Sequence, residues 1–331
     1  MLKKCLLSSG LLFLYFFHFP LVRIMGPALA MPLTRVTTFL VWCATFFGAD
    51  RRVRQNLKLV LPSLGRGWNV GDVHRGYLAV KQEQFVLQVL YPTRRGRRYV
   101  ETISRTVEGK EHLDAALRNG RGVILATFHF GIFRVIHPAL VSVGFDTYLH
   151  FLRSERYADR SFGWVARAVL ARRIRLDQLA DRRLVYHEPG RTYARIAELL
   201  RSNEIVQMLG DGMATSKSIE VPFLSGTMRF PTGLARLAAE TGAAIVCLFP
   251  VRDSMKRHRI VLHPPIFCTD SSQSSIESAV RSYVRLLEEY VRRYPWMWWS
   301  WRRICPERDS KGTFRYILTE TLRPETRIYR G

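Results

Sequence analysis

The hydrophobic positions of this chain change period several times, and each change marks an element. Residues 69–88 and 107–118 carry apolar side chains at three- and four-residue spacing, which predicts amphipathic helices. Gly122-Val-Ile-Leu-Ala-Thr-Phe128 is a short unbroken apolar run opened by glycine, the pattern of a buried strand. A helix is predicted over 133–143, a strand over 146–152 and a helix over 162–171. Further along, 192–200 reads as helix and Glu204-Ile-Val-Gln-Met-Leu209 as strand. The helix predicted over 232–241 ends at Gly242, and strands are predicted over 243–249 and 259–262. A polar turn at Ser271–Ser275 precedes a last long helix over 278–293. Strands and helices alternating at this spacing imply an α/β fold, with a mixed central sheet flanked by helices.

The amino terminus differs from the rest. Lys3-Lys4 precedes an 18-residue apolar run from Cys5 to Val22, closed by Arg23 and interrupted by Pro20. That length sits at the threshold for crossing a bilayer. A weaker apolar stretch covers 24–48, and Arg51, Arg52 and Arg54 follow it. An N-terminal membrane-anchor helix or interfacial hairpin is expected over 1–50, its cationic end against anionic inner-membrane lipids on the cytoplasmic face. A secretory signal peptide competes with it, since Ala28-Leu29-Ala30 resembles a cleavage site. The α/β domain is expected over 51–305, and 306–331, poor in apolar residues, as a peripheral extension.

Composition narrows the function classes. The 331 residues are 47% hydrophobic and 24% charged, which excludes an intrinsically disordered chain. A mean hydropathy of −0.05 excludes a polytopic transporter. The net charge is +24, and 43 of the 51 cationic residues are arginine. Arginine suits phosphate and carboxylate, so charge alone admits nucleic acid, anionic headgroups or an acidic protein as partner. No nucleic-acid-binding motif accompanies the charge, and no nucleic acid is expected. The five scattered cysteines form no CxxC and no metal-ligand spacing, so neither a disulfide framework nor a metal site is expected.

Candidate chemistry gathers where predicted strands end. His129 follows the first buried strand in Thr127-Phe-His-Phe-Gly-Ile-Phe-Arg134, with Gly131 giving room at the turn. A histidine so placed suits a general base toward a hydroxyl, and a hydrogen-bonded half-buried histidine is the plainer alternative. Leu209-Gly210-Asp211-Gly212 ends the third predicted strand, which sheet topology can set on the same edge as His129. Then come Val221-Pro-Phe-Leu-Ser225-Gly226, Pro231-Thr-Gly-Leu-Ala-Arg-Leu-Ala238 and Tyr294-Pro-Trp-Met-Trp-Trp-Ser-Trp-Arg-Arg303. The four tryptophans of that last segment suit either a membrane interface or packing against the core.

These pieces, with Arg54-Gln-Asn-Leu-Lys58 near the start, appear in the order seen in a known family. The chain resembles the lysophospholipid acyltransferase superfamily, and within it the bacterial lipid A biosynthesis acyltransferases. The resemblance covers about residues 50–303. It implies a glycerolipid acyltransferase-like fold and transfer of a fatty acyl chain from an acyl-carrier-protein or coenzyme A thioester to a hydroxyl of a lipid A-like glycolipid or other membrane lipid. No cofactor is implied beyond that co-substrate, and the partners are the acceptor lipid, the acyl carrier protein and anionic inner-membrane lipids. The family motif is His-x4-Asp/Glu, in which the acid orients the imidazole. Here His129 is followed at that spacing by Arg134, which cannot accept a hydrogen bond from the ring. Asp211 is the candidate substitute, making His129 and Asp211 the expected catalytic pair. Arg134 is otherwise expected to bind an acidic donor or headgroup, and Arg153 to hold a phosphate or the developing negative charge, with a solvated charge as the alternative. Gly131, Ser225 and Gly226 are expected to line the substrate site. The second expectation is a catalytically impaired homologue that binds lipid or carrier protein as an accessory.

Overall fold

A computed structural model describes residues 13–45, 47–65, 67–91, 93–151, 183–186, 190–212, 217–254, 257–308, 310 and 312–318. The predicted helix at 162–171 and Arg153 lie outside the described residues. Among those described, the helices are α1 (Phe19–Thr45), α2 (Phe47–Val60), α3 (Val70–Leu90), α4 (Arg94–Ile103), α5 (Lys110–Leu117), α6 (Ile136–Ser142), α7 (Thr192–Arg201), α8 (Gly233–Thr241) and α9 (Gln273–Arg293). The strands are β1 (Thr106–Glu108), β2 (Val123–Thr127), β3 (Tyr148–Phe151), β4 (Leu184–Tyr186), β5 (Ile205–Leu209), β6 (Ser218–Phe223), β7 (Gly226–Pro231), β8 (Ala244–Ser254), β9 (Arg257–Leu262), β10 (Ile304–Arg308) and β11 (Phe314–Leu318).

The larger sheet has the order β1-β9-β8-β2-β5-β3-β4. All of its pairings are parallel except β8 with β9, so the sheet is mixed. Every residue of β2 is buried, which explains its unbroken apolar run: a central strand covered on both faces needs no polar alternation. Leu113 of α5, Leu200 of α7, Leu234 of α8 and Val280, Tyr283 and Leu287 of α9 join the strands in one core. A smaller sheet has the order β10-β11-β7-β6, with β11 parallel to β7 and the other pairs antiparallel. Thus the stretch past residue 305 supplies a hairpin to a sheet, and Tyr316 is buried there. Burial falls steadily along β10 from Ile304 to Arg308, and among the described residues of β11 Tyr316 is the buried one, so composition alone reads as a loose extension.

Local chemistry sets the element ends. Asn69 caps α3, its Oδ1 accepting from the amides of Gly71 and Asp72 at 2.8 and 3.2 Å. Gly242 closes α8 with φ +75°. The helix predicted from residue 107 begins later, because Val107 belongs to β1, paired with β9, and the left-handed Gly109 separates the two elements. Helix α4 is not among the predicted elements, although it buries Gly96, Val100 and Ile103 at four- and three-residue spacing and carries Arg94, Arg95, Arg97 and Arg98 in the same ten residues.

At the amino terminus α1 is kinked at Gly26, whose φ of +75° breaks the helical path. Phe19, Val22 and Ala30 of α1 pack against Val86, Val89 and Leu90 of α3. Phe16, Phe17, Ile24, Leu29 and Val36 point away from the body and are exposed. Among the described residues, no helix is long and apolar enough to cross a membrane. The aromatic tail packs inward: Trp298 and Trp301 are fully buried, and their rings meet edge to face at 4.8 Å.

Candidate active site

The site follows from strand register. In the parallel pair β2/β5, Thr127 lies opposite Leu209. Two residues further along each strand stand His129 and Asp211, so the register carries them to the same edge. The pairing continues through the Gly210 amide, which donates to the Thr127 carbonyl at 2.8 Å. Asp211 Oδ1 then accepts from the backbone amide of His129 at 2.8 Å and stands 2.9 Å from His129 Nδ1. The aspartate side chain is fully buried, whereas the histidine ring keeps 21% exposure. Such a pair has an anchored end and an open end.

Burial alone pushes the Asp211 carboxyl up. The neighbouring His129, by charge and by hydrogen bond, and the Arg303 guanidinium outweigh that and hold it below the usual carboxylate range. An ionised carboxylate only accepts, so the 2.9 Å contact assigns the ring proton to Nδ1 and leaves the Nε2 lone pair outward. Arg303 Nη1 lies 3.0 Å from the same Nδ1. A guanidinium has no acceptor and a protonated Nδ1 has no lone pair, so this approach is a charge contact supporting Asp211. Asp211 Oδ2 is buried and takes no hydrogen bond among the described residues.

The turn after His129 is clamped from two sides. Gly131 has φ +63°, and a Cβ there would meet the Pro250 carbonyl oxygen at 2.1 Å, so this position demands glycine. On the other side the aromatic tail runs antiparallel to the turn, with Phe130 bridged to Trp298. The Gly131 amide donates to the Met297 carbonyl at 2.9 Å, and the Trp299 amide donates to the His129 carbonyl at 2.7 Å. The tail is itself tied to α2, since buried Asn56 donates to the carbonyls of Trp301 and Ile304 at 2.7 and 2.9 Å. The Trp301 indole N–H reaches the Pro295 carbonyl at 2.6 Å. Asn56 gives the Arg54-Gln-Asn-Leu-Lys58 motif a physical task, to hold the segment that brings Arg303 to the site.

His129, Gly131 and Asp211 therefore meet. Ser225 and Gly226 stand in the smaller sheet, where Ser225 Oγ lies 2.7 Å from the Tyr316 hydroxyl and Gly226 faces the Phe314 backbone. A Cβ on Gly226 would lie 2.0 Å from the Phe314 carbonyl oxygen, so its glycine serves sheet packing. No hydrogen bond joins either residue to His129 among the described residues. Arg134 lies in the short 3-10 turn Phe133–Val135 directly after the clamp, and only its backbone is described. Sequence reasoning missed Arg303 as a site residue, and Lys81 altogether. Lys81 Nζ sits over the Trp299 ring at 4.0 Å from its centroid. The doublet Arg302-Arg303 after a run of tryptophans was the available signal.

Comparison with known proteins agrees with this architecture. The sequence model of the bacterial lipid A biosynthesis acyltransferases matches residues 3–140 and 182–303. Phosphatidylinositol mannoside acyltransferases of two Mycobacterium tuberculosis strains, CDC 1551 / Oshkosh and ATCC 25618 / H37Rv, are each 26% identical to it over 204 residues. The alignment covers 57% of this chain and 57% of each relative, so the chain spans little more than half the length of the curated relatives it matches. The matched residues include His129 and the aromatic tail with Arg303. The chain belongs to the bacterial lipid A biosynthesis acyltransferase family.

Proposed function

We propose that this protein transfers a fatty acyl chain from a thioester to a hydroxyl of a membrane glycolipid, with His129 as general base and Asp211 as the group that orients it. The observation that carries the reading is the His129–Asp211 pair, with Nδ1 at 2.9 Å from a buried carboxylate and the opposite ring edge accessible. The acceptor O–H gives its proton to His129 Nε2 as the oxygen attacks the thioester carbonyl carbon. The resulting tetrahedral intermediate collapses with cleavage of the C–S bond, and the imidazolium returns its proton to the departing thiolate. Asp211 holds the ring in the Nδ1–H tautomer and offsets the imidazolium charge. The chemistry needs no cofactor beyond the thioester, whose carrier is an acyl carrier protein or coenzyme A.

The acceptor class rests on the family and on the relatives' name, both of which point to glycolipids. A working position on the cytoplasmic face of the inner membrane is supported by the exposed Phe16, Phe17, Ile24, Leu29 and Val36. Arg95 of α4 lies against the kink at Gly26, giving that apolar face a cationic flank suited to anionic lipid. The alternative, a catalytically impaired homologue, draws on Arg134 at the position of the motif acid. Asp211 favours an active enzyme, because it supplies the carboxylate that Arg134 does not.

The test uses membranes carrying either the wild type or His129→Ala at matched expression. These are incubated with labelled acyl-carrier-protein and coenzyme A thioesters, and lipids are followed by mass spectrometry. Label is expected to enter a glycolipid with the wild type and to fall by about 10²–10⁴-fold with the variant. Equal labelling in the two, or none with either donor, overturns the assignment.

A further inference from the structure

Glu83 of α3 is fully buried, and the chemistry at His129 makes no use of it. Both of its carboxylate oxygens are engaged across the β8–β9 hairpin. Oε2 accepts from Arg252 Nε, and Oε1 stands 2.9 Å from His258 Nε2. Arg252 and His258 face each other in the antiparallel register, directly before the pairing falls out of step between Arg252 and Ser254. One helix side chain therefore clasps both strands where their own pairing becomes irregular. The His258 ring is buried too, and a carboxylate only accepts, so the contact assigns the ring proton to Nε2. His258 Nδ1 takes no hydrogen bond among the described residues.

Burying such a cluster is costly. Charged groups taken out of water need their partners to offset the lost hydration, and well-packed apolar side chains in the same space are often as stable or more so. Apolar packing lacks direction, however. A helix resting on an apolar surface can shift by a fraction of an ångström, whereas two hydrogen bonds to one carboxylate fix its height and its rotation.

The place of the clasp gives that precision a use. Arg252 lies two residues beyond Pro250 on β8, so the two share a face of the strand. Pro250 supplies the carbonyl that closes on Gly131 and holds the turn after His129. Helix α3 packs in turn against the Phe133–Val135 segment that follows. The loop carrying His129 is thus gripped between the end of β8 and the side of α3, and Glu83 ties these two walls to each other.

We propose that Glu83, through Arg252 and His258, is a positioning residue for acyl transfer: it sets the spacing of the walls around the 129–135 loop and so the aim of the His129 ring. This deepens the acyl-transfer reading and rests on it for the reaction whose rate is measured.

The test compares His258→Gln with His258→Phe in the purified full chain in detergent. Glutamine sets an amide N–H near the position of Nε2 and keeps the bond to Glu83, whereas phenylalanine fills similar space and donates nothing. Both leave the Glu83–Arg252 contact in place. Magnetic resonance of isotope-labelled histidine ring nitrogens reads the His129 tautomer without substrate, the signal being assigned by its loss in His129→Gln. The Nδ1–H form is expected to dominate in the wild type and in His258→Gln, and a mixture of the two tautomers is expected in His258→Phe. In turnover, His258→Phe is expected to lower kcat about tenfold with KM within about twofold, and His258→Gln to stay within about twofold of the wild type in both. Wild-type ring signals and kcat in His258→Phe overturn the proposal, as does an equal loss in both variants. A rise in KM with kcat unchanged also overturns it, because a misaimed base slows the chemical step. If His258→Phe does not fold, Arg252→Lys against Arg252→Met puts the same question at the other oxygen, with the donor-keeping variant expected to match the wild type and the other to show the loss. Absence of transfer by the wild type defeats the acyltransferase reading alone, since the ring signals decide the positioning without turnover.

Discussion

The two sheets of this protein divide its tasks. The larger one is mostly parallel, and its central strands β2 and β5 are buried along nearly their whole length. The smaller is mostly antiparallel, alternates buried and exposed positions along β6, and carries its charges outward, as in the Arg315–Glu220 pair at 2.9 Å. Neighbouring parallel strands stop at the same edge, so residues two places beyond two such strands become neighbours, as His129 and Asp211 do. In an antiparallel pair the strands run out at opposite edges, and equal offsets diverge. Ser225 and Gly226, at the β6–β7 turn, consequently support a hairpin, while His129 and Asp211 meet on the parallel edge.

The sharpest way to break this contrast is Asp211→Asn. An amide at this position carries no charge to offset the imidazolium, and turnover is expected to fall by up to about 10⁴-fold, measured as kcat with the substrates of the wild type. The same change alters acid stability. The Asp211 carboxyl is held below its unfolded value, so its contribution is fully present above that unfolded value and is lost as pH falls through the lower folded one. Denaturant titrations of the two proteins should therefore differ most near neutrality and converge in strong acid.

Next in size is Gly131→Ala, which puts a Cβ against the Pro250 carbonyl and forces a left-handed conformation on alanine. We expect about 2–5 kcal/mol of lost stability by chemical denaturation, accompanied by lost turnover because the clamp holds His129. The smallest effect is expected from Ser225→Ala, which removes one partly buried contact to Tyr316. It should cost about 1 kcal/mol and leave kcat within about twofold of the wild type. A large kcat loss there, with stability preserved, would return the smaller sheet to the chemistry.

How much of this was legible in the sequence depended on the range of the contacts. The unbroken run of 123–127 and the Gly-Asp-Gly after 209 showed where two strands end, and parallel topology made His129 and Asp211 natural neighbours. Arg303 was opaque because its place depends on a tail that folds back over the turn at 129–131 under the hold of Asn56. Lys81 was opaque because it sits in a long helix whose pattern gives no reason to single out one polar position. The tryptophan tail admitted two readings from composition, and only packing shows Trp298 and Trp301 turned inward. Helix α4 was missed although its buried Gly96, Val100 and Ile103 repeat at four- and three-residue spacing among the arginines, because only two of those three positions are large apolar residues.

The bridge between Phe130 and Trp298 has a consequence for biosynthesis. His129 and Arg303, whose side chains meet at 3.0 Å, are 174 residues apart in the chain. A ribosome working at 5–20 residues per second takes roughly 10–35 s to travel between them. Throughout that interval the nascent polypeptide already contains the histidine, its turn and, later, its aspartate, yet lacks the strap that clamps the turn. The edge that carries the pair is thus completed only once residue 303 has been made, and a chain ending before residue 298 would carry His129 and Asp211 without the segment that clamps their turn.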